Sequence, residues 1–366
     1  MASRVGWLGR MATVLVVLAA AVITCCSAGA EGAEDSNDKR SEQGIRIGFS
    51  MDSFVVERWH RDRDGFLRAA GNYGAQVLLR SANEDVEVQR QQLIELSHQN
   101  IDVLVVIPND SEKLSDVIEQ IRSRGIPVLA YDRLIRNTPI DGYVSFDNQG
   151  IGTLMAEAVV AAVQDKVDGT GSILVLNGAL PDYNSFMINR GIVTYLRPHI
   201  ERGSIRLLDS LWLQSWRNEE ARDAIESAYS RFDYIDGVIA ANDLIAEAVV
   251  HSAAVRGHAG RLVVSGMDGD LAAVQRVAEG TQLMTVYKPV ELLAARALEA
   301  AIELVDGPLI HYSEIIFNGS NDVPYIQLEP VVVTQESIMA TVVADGFHCY
   351  EDVYRNIPQK NRPAQN

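Results

Sequence analysis

The chain has 366 residues, 47% of them hydrophobic, and a formal net charge of −17. That length suits two domains of ordinary size, and that composition excludes a disordered chain. The acidic balance excludes a phosphate-gripping surface, which needs clustered Lys and Arg, so nucleic acid is not an expected partner.

Residues 1–30 read as an export leader. Arg4 and Arg10 precede an apolar run over 11–23, shorter than the about 20 residues of a membrane span. Cys25 and Cys26 follow at once, which is the pattern of a bacterial lipoprotein leader, although Thr24 stands where a smaller residue is usual. Cleavage after Ala28-Gly29-Ala30, of small-x-small form, is the rival. Lipidation of one of the two cysteines is the preferred reading. Either route puts the protein in the periplasm or on the outer face of the cytoplasmic membrane. Residues 31–44 are polar and acidic without an apolar period, as in a flexible tether. Cys349 is then left without a partner, so no structural disulfide is expected.

Strands and helices then alternate. A strand over 45–50 leads to Glu57-Arg58-Trp59 and a helix to about Tyr73, with Phe66, Leu67, Ala70 and Tyr73 on its buried face and Gly74 as its stop. A strand over 75–80, a helix over 86–98 and a strand over 101–107 follow. Leu114, Val117, Ile118 and Ile121 stripe the next helix, which Gly125 closes. The run over 126–131 is almost wholly apolar, as a strand buried on both faces of a parallel sheet must be, and it ends abruptly in Asp132-Arg133. The pattern restarts after Asp147-Asn148. Ile151, Leu154, Met155, Ala158 and Val159 mark a helix. Strands are expected over 172–176, 205–208, 237–241, 262–266 and 282–287, with a helix over 218–231 and another over 289–304. Such alternation means right-handed βαβ units and parallel sheets, here in two successive α/β halves.

Strand after strand ends in a polar or charged residue: Asp132 and Arg133, Asn242, Asp268, Lys288. In open α/β sheets ligands sit outside the carboxyl ends of the strands. Polar residues there can simply begin loops. The mixture of acids, bases and amides with Trp216 suits instead a small polyhydroxylated ligand. Carboxylates accept from hydroxyls, Arg and Lys donate to them, and amides do both. Aromatic rings cover the C–H faces of a sugar ring. Arg and Lys companions should keep the acids ionised. Asp62 and Asp64, near Glu57, read as a solvated first helical turn that suits the helix dipole. His251 and His258 read as solvated surface. The sequence contains no P-loop, no G-x-G-x-x-G after the first strand, no G-x-S-x-G, no H-E-x-x-H and no metal-ligand spacing of histidines. No cofactor, no metal and no catalytic residue is therefore expected.

Glu57-Arg58-Trp59 with Asp62-Arg63-Asp64, the segment 129–133, Ser145-Phe146-Asp147-Asn148, Asn242-Asp243, the segment 265–268, the segment 284–289 and Asp345-Gly346-Phe347-His348 occur in that order. Together they resemble the D-xylose-binding proteins of bacterial ABC sugar importers, from about Ile45 to His348. The resemblance implies a type I periplasmic binding protein fold: two Rossmann-like lobes with parallel sheets, joined by a three-crossing hinge, with sugar in the cleft. The lobes would comprise 45–149 plus 289–325 and 150–288 plus 326–350, with 351–366 as a C-terminal tail. By motif, Trp59 and Trp216 would stack on the sugar. Arg58, Asp132 and Arg133 would bind its hydroxyls from the first lobe, and Asp182, Asn184, Asn242, Asp268 and Lys288 from the second lobe and the hinge. Two departures are visible: Met267 replaces the Gln that the family has before the aspartate, and the segment 179–184 is longer. The implied role is that of a monomeric, non-enzymatic receptor handing a monosaccharide, D-xylose foremost, to a permease and its ATPase. A sensor subunit presenting its closed form to a histidine kinase or chemoreceptor is the alternative. A glycosidase would need one acid in an apolar pocket, which the Arg and Lys companions disfavour.

Overall fold

The computed structural model describes residues 44–365, so the leader and most of the tether, with Cys25 and Cys26, lie outside it. The first half runs β1 (Arg46–Met51), α1 (Arg58–Tyr73), β2 (Gln76–Ser81), α2 (Val86–Ser97), β3 (Val103–Val106), α3 (Ser115–Ser123), β4 (Val128–Tyr131) and β5 (Gly142–Phe146). The second half runs α4 (Asn148–Lys166), β6 (Gly171–Ala179), α5 (Tyr183–Glu201), β7 (Ile205–Leu213), α6 (Asn218–Arg231), β8 (Gly237–Ala240), α7 (Asp243–Val255), β9 (Val263–Val264), α8 (Leu271–Glu279) and β10 (Thr285–Tyr287). The chain then returns through α9 (Val290–Asp306), β11 (Glu314–Phe317) and β12 (Asp322–Leu328). It ends with β13 (Val331–Val333), a π-helical turn over Met339–Val343 and α10 (Tyr350–Val353).

Seven strands form one sheet in the order β11-β12-β5-β4-β3-β1-β2, parallel except for the β11–β12 pair. Four form a second, all-parallel sheet in the order β7-β6-β8-β9. β10 and β13 pair antiparallel beside it. The chain passes between the two sheets after β5, after β10 and after β12. The local chemistry explains the strands. In β3 and β4, Val103, Val105, Leu129 and Tyr131 face one core, while Leu104, Val106, Val128 and Ala130 face another. Both faces are covered by helices, so the runs are continuously apolar rather than alternating. Gly74, at φ 83°, ends α1 in the left-handed conformation. Asp85 caps α2 by accepting from the amides of Glu87 and Val88.

Several boundaries differ from expectation. β9 is two residues long because its ladder breaks after Val264, beyond which Met267 bridges singly to Val286. β12 pairs with β5 as far as Leu328, so the division expected between 325 and 326 falls inside a strand. The stacking of Tyr325 on Tyr143, with ring centroids 4.6 Å apart, and the Tyr325 hydroxyl bond to the Phe146 carbonyl (2.6 Å) hold it there. The expected tail is packed over its first turn. Val353 and Tyr354 are buried with Val274, Val277 and Phe347, and the Gln275 amide donates to the Asp352 carbonyl at 2.7 Å. No helix among the described residues is long and apolar enough to cross a membrane.

Candidate functional site

The loop after β1 and the first turn of α1 carry Asp52, Val56, Arg58 and Trp59. Arg58 is buried. Its Nε and Nη2 donate to the two oxygens of Asp62, each at 3.0 Å, and its Nη1 donates to Asp132 Oδ1 at 2.8 Å. The Tyr131 hydroxyl donates to Asp62 Oδ1 at 2.6 Å. Asp62 is therefore fully buried, not solvated as the helical-turn reading had it, whereas Asp64 is exposed. The reason is geometric: one turn after Arg58, Asp62 lies on the face of α1 that meets β4.

At the end of β4 the backbone turns sharply. Asp132 sits at φ 59°, a left-handed conformation uncommon for a side chain other than Gly. Three donors fix its carbonyl: Tyr143 Oη (3.0 Å), Ser145 Oγ (2.6 Å) and Asn184 Nδ2 (3.0 Å). The turn aims Asp132 and Arg133 out of the sheet. Arg133 Nη1 donates to Asp52 Oδ2 at 2.9 Å, and its Nε lies 2.8 Å from Asp182 Oδ2.

The second half faces these groups. Asp182 caps α5 by accepting from the Asn184 amide at 2.9 Å, and its other oxygen accepts from Trp216 Nε1 at 3.2 Å. Trp216 comes this close because β6 carries Gly178, where a Cβ would lie 2.0 Å from the indole ring. Asn242 caps α7 through the Ile245 amide at 3.0 Å. Asp268, at φ 101°, lies 3.6 Å from Lys288 Nζ and 3.9 Å from Arg58 Nη1. Arg58 and Arg133 both flank the Trp59 ring, their guanidinium carbons 4.7 and 5.4 Å from its centroid, and the Trp59 indole N–H has no hydrogen-bond partner among the described residues.

These groups line one cavity with an empty volume of about 310 Å³. The structure brings together all ten residues singled out in the sequence: Arg58, Trp59, Asp132, Arg133, Asp182, Asn184, Trp216, Asn242, Asp268 and Lys288. It adds Val56 and Met267. Met267 was visible as a departure beside Asp268. Val56, an apolar residue in a loop, carries no sequence signal. Asp52 and Asp62, which brace the two arginines from behind, were not selected either.

Burial and charge compete here. Burial pushes the Asp132 carboxyl up, but Arg58, Lys288 and Arg133 outweigh it and hold the group below the usual carboxylate range. At Asp182 burial wins over Arg133 and the value is raised, as it is at Asp62 despite Arg58. The acids are thus not uniformly pinned in their ionised form by their basic companions. Asp132 is held in that form by Arg58, Lys288 and Arg133 acting together. Among the described residues no group of three or more His, Cys, Asp or Glu is placed to hold a metal ion.

Residues 47–309 match the periplasmic binding protein domain. The chain belongs to the periplasmic binding protein family. Among its curated relatives is the D-xylose-binding periplasmic protein of Haemophilus influenzae, 40% identical over 311 residues, 85% of this chain and 92% of that one. The Escherichia coli protein of the same name is 38% identical over 305 residues, 83% of this chain and 91% of that one. Among solved structures, a carbohydrate transporter solute-binding protein from Chloroflexus aurantiacus in complex with D-glucose superposes with a TM-score of 0.79 at 26% identity. It is matched over 85% of this chain and 98% of that one. The fold is the type I fold of that family, with mixed α/β halves built on parallel sheets. As in other open α/β sheets, the cavity lies beyond the carboxyl ends of the strands, among residues that follow β1, β4, β6, β7, β8, β9 and β10.

Proposed function

We propose that this periplasmic binding protein is an exported, non-enzymatic receptor that encloses a monosaccharide, D-xylose foremost, and delivers it to an ABC importer. The observation that carries the reading is the composition of the cavity walls. Two arginines, a lysine, three carboxylates and two amides from both halves converge between two indoles on one cavity. Neutral hydroxyls can both donate to the carboxylates and accept from the guanidinium groups, so the ligand replaces water without bringing charge. The names of the relatives at 40% and 38% identity point to xylose. A pentose has about ten non-hydrogen atoms, and micromolar binding at about −8.2 kcal/mol asks for roughly −0.8 per atom, inside the ceiling of about −1.5 for small ligands.

The lobes in this reading follow the two sheets. The first takes 45–149 and α9 to β12, the second the remainder through α10. Sugar contacting both would favour the closed state by its difference in affinity for the two states. The ligand test is a calorimetric panel of xylose, glucose, arabinose and ribose with small-angle scattering on the xylose complex. Xylose should bind most tightly and compact the protein. If no monosaccharide binds, the reading fails. The anchor is a separate proposal resting on Cys25 and Cys26, beyond the described residues. Changing both to Ala should move the protein to the soluble fraction with xylose affinity unchanged. A double variant that stays on the membrane removes the lipid anchor from the reading.

A further inference from the structure

Asp62 does not line the cavity, yet it holds a residue that does. The guanidinium of Arg58 is planar and its five N–H groups form a rigid fork, so fixing one edge fixes the other. Asp62 takes the edge made by Nε and Nη2, with both oxygens at 3.0 Å. The remaining corner, Nη1, then faces Asp132 and Asp268 at 2.8 and 3.9 Å, on the cavity wall. Asp62 is itself fixed from the sheet. The Tyr131 hydroxyl reaches its Oδ1 at 2.6 Å, and Tyr131 immediately precedes Asp132 on β4. The chain of contacts thus joins helix α1 to the strand end that carries the opposite partner of Arg58.

We propose that Asp62 is a positioning residue for ligand recognition, setting the direction in which Arg58 presents its Nη1, with Tyr131 setting Asp62. Stability alone is a poor reason for such a cluster. A buried ion pair repays its desolvation only with good geometry, and apolar residues of similar volume often serve as well. What the pair supplies is direction. A guanidinium with Asp132 as its single fixed partner could rotate about Nη1, and its second edge would leave the cavity wall. The inference rests on the reading of this cavity as a monosaccharide site.

The test uses the whole chain, with xylose titrated by calorimetry into wild type, Asp62→Asn, Tyr131→Phe, Arg58→Lys and Asp62→Asn/Arg58→Lys. Asn keeps the shape of Asp62 but offers one acceptor where two were used. Asp62→Asn should raise Kd about tenfold or more, and Tyr131→Phe about threefold. Because Asp62 acts through Arg58, adding Asp62→Asn to Arg58→Lys should change Kd by less than about twofold. A purely structural role would instead weaken binding as much in that background as in wild type, which overturns the proposal. So does a Kd for Asp62→Asn within about twofold of wild type. Should Asp62→Asn not fold, Tyr131→Phe decides, and unchanged affinity there is equally fatal. Wild type that binds no sugar defeats the receptor reading and this inference with it. Wild type that binds while the variants match it defeats the inference alone.

Discussion

Ion pairs join the halves of the molecule both on the floor of the cleft and at its rim. On the floor Arg133 meets Asp182, with side chains 5% and 4% exposed. At the rim Arg217, which precedes α6, meets Glu84, which precedes α2, with side chains 55% and 21% exposed. The partners have the same chemistry, and water separates their consequences. On the floor the attraction is little screened, and so is the cost of leaving either charge alone. Arg133 also holds Asp52 at 2.9 Å, so its loss strands two buried carboxylates at once. At the rim each charge falls back on solvent. The floor pair therefore dictates geometry, and the rim pair accompanies it.

The largest effect should come from breaking the floor. Arg133→Ala is expected to weaken xylose binding by on the order of 2–5 kcal/mol, the range for truncating one partner of a buried charge pair. Calorimetry checks this, and an affinity within about threefold of wild type would reduce Arg133 to a strand-end residue with no part in recognition. The two tryptophans come next and are not equivalent. Trp216 donates to Asp182 and so belongs to the floor, whereas the Trp59 N–H has no partner among the described residues. Trp59→Ala should raise Kd about tenfold, and Trp216→Ala more, because it also frees Asp182. Each should diminish the fluorescence change on xylose binding. Equal losses would mean that the Trp216–Asp182 bond contributes nothing.

The floor was legible in the sequence because its residues sit where a parallel sheet must present them. Asp132 and Arg133 end an apolar run, and Asn242, Asp268 and Lys288 end others. Counting polar strand ends located part of the site, and the order of motifs supplied Trp59, Asp182 and Asn184. What the sequence concealed lies one layer back. Asp62 looks like any acid in a helical first turn. Yet its spacing of four from Phe66 and eight from Ala70 puts it on the inward face of α1, where the Tyr131 hydroxyl meets it. Val56 is hidden for the opposite reason, since an apolar loop residue has no pattern to belong to. The rim pair was also invisible, because Glu84 and Arg217 lie 133 residues apart in loops without periodicity. Strand ends failed where pairing, not composition, sets the limit, as at Val264 and Leu328.

A third feature near the cleft has the opposite sign. Asp270 is buried, and burial together with Asp243, Asp268 and Glu57 pushes its carboxyl well above the usual range, with Arg276 opposing. Asp243 already satisfies its two oxygens with the Gln282 amide, the Thr285 hydroxyl and the Asp270 backbone N–H, at 2.9, 2.8 and 3.0 Å. Among the described residues no such donors reach the Asp270 carboxyl, so nothing offsets its burial except Arg276. A carboxyl raised in the folded state binds more protons there than in the unfolded chain at pH values above about 4. Its contribution to stability is present at low pH and is lost as pH rises through the folded value. Asp270→Asn should therefore flatten the fall of Tm between pH 5 and 8 (measured by calorimetry at about a unit spacing). An unchanged slope would place the proton on another group.

The smallest effect belongs to the rim, and it decides whether the opening comparison is right. Arg217→Ala removes one charge from an exposed pair, and Glu84 can recover its hydration without moving the cleft walls. Measured exposed pairs contribute little, and salt screens what remains. The variant should bind xylose within about twofold of wild type, and raising the salt concentration should erase even that difference. Its rate of sugar release is the sharper readout, because a rim contact can only delay opening, not orient the ligand. If Arg217→Ala accelerates release by tenfold or more while leaving association unchanged, on the logic that interface affinity is tuned through dissociation, the rim pair is a latch. Exposure would then be a poor guide to which contact holds the halves together. If release is unaltered, the hold on the ligand lies with the floor, where Arg133 has two buried carboxylates to satisfy.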